Sequence, residues 1–221
     1  MIDVELKVDL SRSRTLYQEA VGYSPGGTPD AKGWDGDMFY VERVDGNRLW
    51  DLDGNEYIDY HAASSSIILG HSDQELNDAI IDTVRNRGVQ LSQPHSLEVQ
   101  LAKKLKEVIP NTDLVAFGNA GTDTLQFAMR MARAYTGKKK IVKFDDHFHG
   151  WHDYVTLDSG LNTEVGIPAE TLSSIVVLEP EISAVERLLS DDHDIAAVIV
   201  ESTGGHWGQF PLPNPTFLHQ L

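Results

Sequence analysis

The pattern of apolar and polar residues predicts two regions of different secondary structure along the chain. Residues 38–60 carry short alternating runs that are separated by Asp45–Gly46 and Asp53–Gly54. An Asp-Gly pair between alternating runs is the strongest short signal for a hairpin. We therefore predict an antiparallel meander here, preceded by a helix over Ser11–Ala20.

The rest of the chain repeats its apolar residues three and four positions apart, which is typical of helices. Helices are predicted from about Ser72, over His95–Ile109 and over Ile182–Leu189. Ser174–Leu178 is a β-rich run, and Ile195–Val200 is a continuous apolar run typical of a strand buried on both faces. Strands that alternate with helices predict a parallel sheet covered on both sides.

The stretch Asp113–Asp153 reads as a strand, a glycine turn, a long helix and a second strand. Val115–Phe117 predicts the first strand and Ile141–Phe144 the second, and Gly118–Thr122 forms the turn. One face of the intervening helix carries apolar residues at helical spacing: Leu125, Ala128, Met129, Ala132 and Tyr135. Functional groups at the turn and after the second strand would meet at one sheet edge, where α/β proteins bind ligands.

Composition narrows the partners. The 221 residues carry a formal net charge of −16, which argues against nucleic acid or an anionic membrane surface as partner. The chain has no cysteine and therefore no thiolate nucleophile or disulfide. No apolar run approaches the roughly 18 residues of a membrane span, and the N-terminus lacks a signal-peptide core. We expect a cytoplasmic protein.

Three features carry candidate chemistry at the predicted sheet edge. The turn before the long helix offers the Gly121 and Thr122 backbone amides and the Thr122 hydroxyl to an anion such as phosphate. An ordinary tight turn is the alternative interpretation. Phe148 follows the next strand and would lie beside a flat ring. Glu201 ends the last apolar run, where its carboxylate would hold a cofactor, orient a loop or cap a helix.

The loop that contains Phe148 has a second interpretation, which is a metal site. His147, His149 and His152 form an H-x-H-x-x-H pattern, which matches part of the H-x-H-x-D-H signature of metallo-β-lactamase-like hydrolases. Trp151 occupies the position of the aspartate in that signature. A hydrolase with a histidine-bound metal is therefore one alternative function.

Taken together, the motifs resemble those of the class III (fold type I) pyridoxal-phosphate aminotransferases, with the glutamate-1-semialdehyde 2,1-aminomutases as the most similar subgroup. Asn119–Thr124 is similar to the family pattern N-S-G-T-E-A, and Phe148–Gly150 to its aromatic-His-Gly. LWDLDGNEYIDY at 49–60, LGH at 69–71 and LEVQLAKKL at 97–105 also match. The resemblance covers residues 11–221.

The resemblance implies an α/β fold of the type I pyridoxal-phosphate transferases. Residues 1–70 would form the N-terminal segment of the small domain, a helix plus antiparallel hairpins. Residues 71–221 would form the first part of the large, mainly parallel α/β/α domain, incomplete at its C-terminus. Intact members are homodimers, so a homodimer is expected for the full-length protein.

The resemblance also implies roles for particular residues. Pyridoxal 5'-phosphate would be held by Ala120, Gly121 and Thr122 at its phosphate, by Phe148 and His149 at its ring, and by Glu201 near its substituents. Ser64 and His206 occupy positions that differ from those of the aminomutases, and both are candidate residues for binding a small amino or oxo substrate.

The catalytic residues of the family are not matched. The Schiff-base lysine and the aspartate that faces the pyridinium nitrogen are expected beyond Leu221, and Lys143 matches a structural strand position instead. We therefore expect an aminotransferase or aminomutase in the full-length protein and an inactive 221-residue fragment. The remaining alternative is a non-catalytic half that binds a partner or the phosphate of the cofactor.

Overall fold

The computed structural model of the protein describes residues 8–27, 39–89, 93–156, 165–205 and 211–221. The chain divides into two compact units: an N-terminal unit, residues 1–93, and a C-terminal unit, residues 94–221. These two units are defined by contacts within the chain and are not the domains predicted from the sequence, residues 1–70 and 71–221. The domain boundary at residue 70 stays a prediction. Within the described residues, no helix combines the length and hydropathy needed to span a bilayer.

The N-terminal unit is built on the predicted meander. Strands β1 (Val41–Asp45), β2 (Arg48–Asp51) and β3 (Glu56–Ile58) pair antiparallel in that order. The Asp-Gly turns lie where the sequence indicated them. The helices of this unit are α1 (Ser11–Ala20), α2 (Ala62–Ser65) and α3 (Gln74–Arg87).

Ionised carboxylates tie the segments of this unit together. Asp53 accepts hydrogen bonds from the backbone N–H groups of Arg12 (2.7 Å) and Ser13 (2.9 Å), which fasten the start of α1 to the β2–β3 turn. Asp51 is buried and accepts a bond of 2.7 Å from the Tyr57 hydroxyl. These carboxylates therefore connect α1, the β2–β3 turn and β3.

The C-terminal unit contains a parallel sheet in the order β5–β4–β6, with β4 (Lys140–Phe144) in the centre. Strands β5 (Ile175–Leu178) and β6 (Ile195–Val198) pair with it on either side. The helices of the unit are α4 (Ser96–Val108), α5 (Gly121–Thr136), α6 (Ala169–Leu172), α7 (Ile182–Asp191) and α8 (Phe217–Gln220). The α/β class and the parallel sheet are confirmed.

The central strand is buried on both faces. Ile141 packs in a cluster with Met129 of α5, Val155 and Ile175. Phe144, on the opposite face, packs with Val185 and Phe217. Because both faces of β4 are covered, its end and the loop that follows it are held in a fixed place above the sheet.

Two sequence predictions about this unit were wrong. Val115–Phe117 forms no strand, because within the described residues nothing pairs with it, and Leu114 beside it is 91% exposed. Tyr135 belongs by spacing to the apolar face of α5, yet it is 93% exposed. It lies in the last turn of α5, beyond the part of the helix that packs on the sheet. Spacing identified the helix, but not how far along the helix its packing partner extends.

Candidate functional site

A cavity lies where the loop after β4 returns to the start of α5. Its volume is about 590 Å³, and it is open to solvent on one side. Helix residues form one wall and the loop after β4 forms the other; together these are Gly121, Thr122, Thr124, Leu125, Ala128, Phe148, His149, Gly150 and Trp151. Four of the predicted cofactor residues therefore lie around one cavity.

The start of α5 leaves backbone donors open. Ala120 is the N-cap and its side chain caps nothing, but Asp123 accepts hydrogen bonds from the N–H groups of Ala120 (2.8 Å) and Asn119 (3.0 Å). These bonds hold the pKa of Asp123 below its usual value. Within the described part of the chain, the N–H groups of Gly121 and Thr122 donate to no acceptor, whereas the Asp123 N–H contacts its own carboxylate. Open amides at the positive end of a 16-residue helix favour an anion.

Thr122 and Gly150 bring the loop against the helix. The backbone N–H of Trp151 donates to Thr122 Oγ1 at 3.3 Å, which leaves the hydrogen of the Thr122 hydroxyl available for another acceptor. Gly150 has a φ of 110°, and a Cβ at this position would lie 2.7 Å from Thr122 Oγ1 and 2.9 Å from Thr122 Cα. Only glycine allows this approach.

Aromatic and imidazole rings form the other wall. The Phe148 and Trp151 rings meet edge to face with centroids 5.6 Å apart. His149 is buried, and its Nε2 has no hydrogen-bond partner among the described residues. Burial, reinforced by nearby Lys143, lowers the pKa of His149 to about 3, so the ring is neutral at pH 7. An orphaned buried nitrogen on a cavity wall is suited to a polar group of a ligand.

Glu201 joins the loop to the sheet. Its Oε2 accepts a hydrogen bond of 2.8 Å from the Phe148 N–H, and its own N–H donates to His147 Nδ1 at 2.9 Å. Of the roles considered for Glu201, loop orientation is the one that these contacts support.

The histidine pattern does not assemble a metal site. Within the described residues, no three or more histidine, aspartate or glutamate side chains are placed to share a metal ion. The His147 and His149 rings lie 6.1 Å apart. Burial lowers the pKa values of His147 and His152 as well. The arrangement gives the hydrolase alternative no support.

The remaining predicted residues lie elsewhere. Ala120 is exposed at the N-cap of α5, and Ser64 belongs to α2 of the N-terminal unit. His206 lies outside the described residues. Gly150 was not predicted as a site residue, although a glycine directly after an aromatic-His pair is a signal for a close backbone approach.

Comparisons with known proteins give a consistent result. The family model described as Aminotransferase class-III matches residues 31–221. A glutamate-1-semialdehyde 2,1-aminomutase of Clostridium novyi (strain NT) is 36% identical over 214 residues, which cover 91% of this chain and 49% of that protein. The chain spans about half the length of the curated relatives it matches.

Solved structures agree with the family model. An omega-transaminase from Sphaerobacter thermophilus superposes with a TM-score of 0.84 at 30% identity, covering 98% of this chain and 52% of that one. A transaminase with PLP bound superposes with a TM-score of 0.87 at 28% identity, covering 97% and 52%.

Proposed function

Because the chain belongs to the class-III aminotransferase family, we propose that it supplies the cofactor-binding half of a pyridoxal-phosphate-dependent aminotransferase or aminomutase. The observation that carries the proposal is the cavity itself. It has open helix amides at Gly121 and Thr122 and an aromatic ring at Phe148 on the facing wall.

The residues present fit pyridoxal phosphate. A phosphate dianion matches the donors and the positive dipole at the start of α5. A flat pyridine ring matches the half-buried face of Phe148, since offset stacking of aromatic rings is favourable. The neutral His149, with its orphaned Nε2, matches a polar ring substituent. The volume of about 590 Å³ is within the usual range for small-ligand sites.

When bound, pyridoxal phosphate supplies an electron sink for moving an amino group. The residues of this chain bind and orient. Gly121 and Thr122 bind the phosphate, and Phe148 fixes the plane of the ring. The loop 147–151, held to the helix at Thr122, limits the access of water to one side of the ring.

The reacting residues are proposed to come from the part of the protein that the relatives have and this chain does not match. The relatives are about twice as long, and no lysine among the described residues lines the cavity. We infer that the lysine and the aspartate lie in that second half, and that the 221 residues alone are inactive. A homodimer is proposed for the intact protein.

The substrate is proposed to be a small amino or oxo compound, with Ser64 and His206 as its contacts. Ser64 has a left-handed backbone (φ 57°), as do Ala62 and Ala63 before it. Its N–H donates to His61 Nδ1 at 3.3 Å. Such a conformation is costly for residues other than glycine and is often associated with functional segments.

The test is spectroscopic and kinetic, on the full-length protein. We expect the purified protein loaded with pyridoxal phosphate to show the visible absorbance of the bound cofactor and to lose it when an amino donor is added. The 221-residue fragment should show no turnover. Full-length protein that binds neither pyridoxal phosphate nor pyridoxamine phosphate would refute the proposal.

A further inference from the structure

Two neighbouring strand ends are joined by a reciprocal pair of hydrogen bonds. His147 follows β4 by three residues, and Glu201 follows the adjacent strand β6 by three. The Glu201 N–H donates to His147 Nδ1 at 2.9 Å, and the Phe148 N–H donates to Glu201 Oε2 at 2.8 Å. Each strand end thus contributes one backbone donor and one side-chain acceptor.

The His147 side is held in one protonation state. His147 is only 2% exposed, and its ring packs edge-on against Phe144 at 5.5 Å. Burial lowers its pKa, against the opposing charges of Glu201, Asp145 and Asp146, while Lys143 acts in the same direction as burial. A ring whose Nδ1 accepts a hydrogen bond carries its proton on Nε2.

The backbone around the pair is closely packed. A Cβ on Gly205 would lie 2.8 Å from the Asp146 carbonyl oxygen and 3.2 Å from His147 Cδ2. The segment after Glu201 therefore runs directly over His147. At its other end the loop is fixed to α5 through Trp151 and Thr122. Phe148 stands between these two anchors.

We propose that His147 and Glu201 are a pair of positioning residues, the 147–201 latch, that set the backbone at Phe148 so that its ring meets the cofactor ring. The proposal rests on the proposed function. In the latch, Glu201 acts on the cofactor through its hydrogen bond with the Phe148 N–H. His147 is an additional residue, because the proposed function gives it no role. The latch acts on ring recognition and leaves the phosphate to the start of α5.

The test compares two probes on the full-length apoprotein: pyridoxamine 5'-phosphate, which has both ring and phosphate, and inorganic phosphate. Calorimetry gives both affinities. His147→Leu and Glu201→Leu remove one acceptor each. We expect each to weaken the binding of pyridoxamine phosphate about tenfold, which is the contribution of a well-placed aromatic stack. The affinity for inorganic phosphate should stay within about twofold of the wild-type value.

Conservative variants separate positioning from bulk packing. Asn at 147 keeps an acceptor close to that of Nδ1, and Gln at 201 keeps an oxygen for the Phe148 N–H. His147→Asn and Glu201→Gln should therefore retain the preference for pyridoxamine phosphate. Glu179→Leu, at an exposed glutamate directly after β5, is the matched control and should change neither affinity.

Two further readouts do not depend on affinity alone. The amide proton of Phe148 should shift upfield in NMR spectra of Glu201→Leu and keep its position in Glu201→Gln. In a Phe148→Ala background, the latch substitutions should have no additional effect on pyridoxamine phosphate. If the leucine variants do not fold, His147→Gln replaces them, since it stays polar but carries its acceptor one bond further out, and it should show the same selective loss.

The outcomes are distinguishable. If the wild type binds neither probe, the proposed function fails. If it binds both, and the variants lower both affinities equally or neither, the latch is refuted while the proposed function stands. The latch is supported if the leucine variants lose affinity for pyridoxamine phosphate but not for inorganic phosphate, while His147→Asn and Glu201→Gln keep both affinities.

Discussion

The N-terminal unit connects its segments through ionised carboxylates, whereas the C-terminal unit has one buried histidine, His149, in the wall of its cavity and a second, His147, two residues before it. In the first unit, Asp51 and Asp53 each accept several hydrogen bonds at the edge of the meander. In the second unit, His147 and His149 are buried beside the central strand. Carboxylates that are already hydrogen-bonded hold a structure together but have little left to offer a ligand.

The histidines and the open helix start have the opposite character. His149 Nε2 is buried without a partner among the described residues, and α5 begins with amides that donate to nothing there. An unsatisfied buried polar atom such as His149 Nε2 costs stability, typically about 1–3 kcal/mol. The difference shows that the C-terminal unit keeps unfilled hydrogen-bonding capacity at one place, which is what a binding site requires.

The largest effect is expected from Gly150→Ala, which changes the C-terminal unit where the loop after β4 meets the start of α5. The added Cβ would overlap Thr122 at 2.7 Å, and the φ of 110° strains any side chain. We expect the free energy of unfolding to fall by about 2–4 kcal/mol from overpacking and backbone strain, with pyridoxamine phosphate binding lost. Urea denaturation and calorimetry measure the two effects.

Gly137→Ala is the matched control for this substitution. Gly137 ends α5 with a φ of 70°, but a Cβ there meets nothing within 4 Å. It should cost only about 1 kcal/mol of backbone strain and leave ligand binding intact. Equal effects of the two substitutions would contradict the contact between Gly150 and Thr122.

The two units should lose stability in different pH ranges as the solution is acidified. The pKa of His149 is about 3 when folded and 6.5 as a free side chain, so below pH 6.5 the unfolded state binds a proton that the folded state refuses. The C-terminal unit should therefore lose about 1.4 kcal/mol per pH unit from His149 as the pH falls from 6.5 towards 3. Hydrogen exchange of β4 and α5 amides at pH 7 and pH 5 measures this loss.

The carboxylates of the N-terminal unit respond in a lower range. Burial acts to raise the pKa values of Asp51 and Asp53, but hydrogen bonds, chiefly from Asn55 and Ser13 respectively, outweigh it and hold both below 3.8. Their contribution is present above pH 3.8 and is lost only as the pH falls below it. The amides of the meander should therefore keep their protection from hydrogen exchange between pH 6.5 and 5. A loss of protection there that depends on these two carboxylates would contradict the difference between the units.

A smaller effect is expected from Asp53→Ala, which breaks the N-terminal unit at its α1 anchor. The substitution removes the acceptor of the Arg12 and Ser13 N–H groups, and we expect a loss of about 1–2 kcal/mol, comparable with the loss of a helix cap. Glu42→Ala, on the exposed face of β1, is the control and should change stability by less than about 0.5 kcal/mol. Thermal unfolding followed by circular dichroism compares them.

The smallest effect is expected from Lys140→Ala in the C-terminal unit. Lys140 Nζ lies 2.6 Å from Asp192 Oδ2, and both side chains are partly exposed. The bond to Asp192 raises the pKa of Lys140, but partly exposed pairs contribute at most about 1 kcal/mol. Urea denaturation in low and high salt should show a loss below this value that shrinks with salt, and a loss of several kcal/mol would mean that ion pairs also hold the C-terminal unit.

Much of the fold could be predicted because its signals are local. Apolar spacing placed α5 and β4, and the two Asp-Gly pairs placed the turns of the meander. The strand predicted at Val115–Phe117 depended on a pairing partner elsewhere, which local pattern cannot supply. The exposure of Tyr135 has the same cause, since it depends on where the neighbouring structure ends.

The site was predictable in its parts and less so in its connections. The turn at Gly121–Thr122 and the ring at Phe148 have recognisable sequence signals, and the fold brings them to one cavity. The bond between His147 and Glu201 joins residues 54 positions apart. No spacing rule encodes it, because it depends on the register of two parallel strands.

The contact between Gly150 and Thr122 has an evolutionary consequence. Loss of the Thr122 side chain would not make room at residue 150, because a Cβ there would still lie 2.9 Å from Thr122 Cα and the φ of 110° would still strain it. The same loss would remove the hydroxyl beside the open amides. Residue 150 should therefore stay glycine in any lineage that keeps this loop against the helix, whatever residue stands at position 122. Its identity is set by its own backbone angle and by the backbone across the cavity wall, and not by any side-chain chemistry.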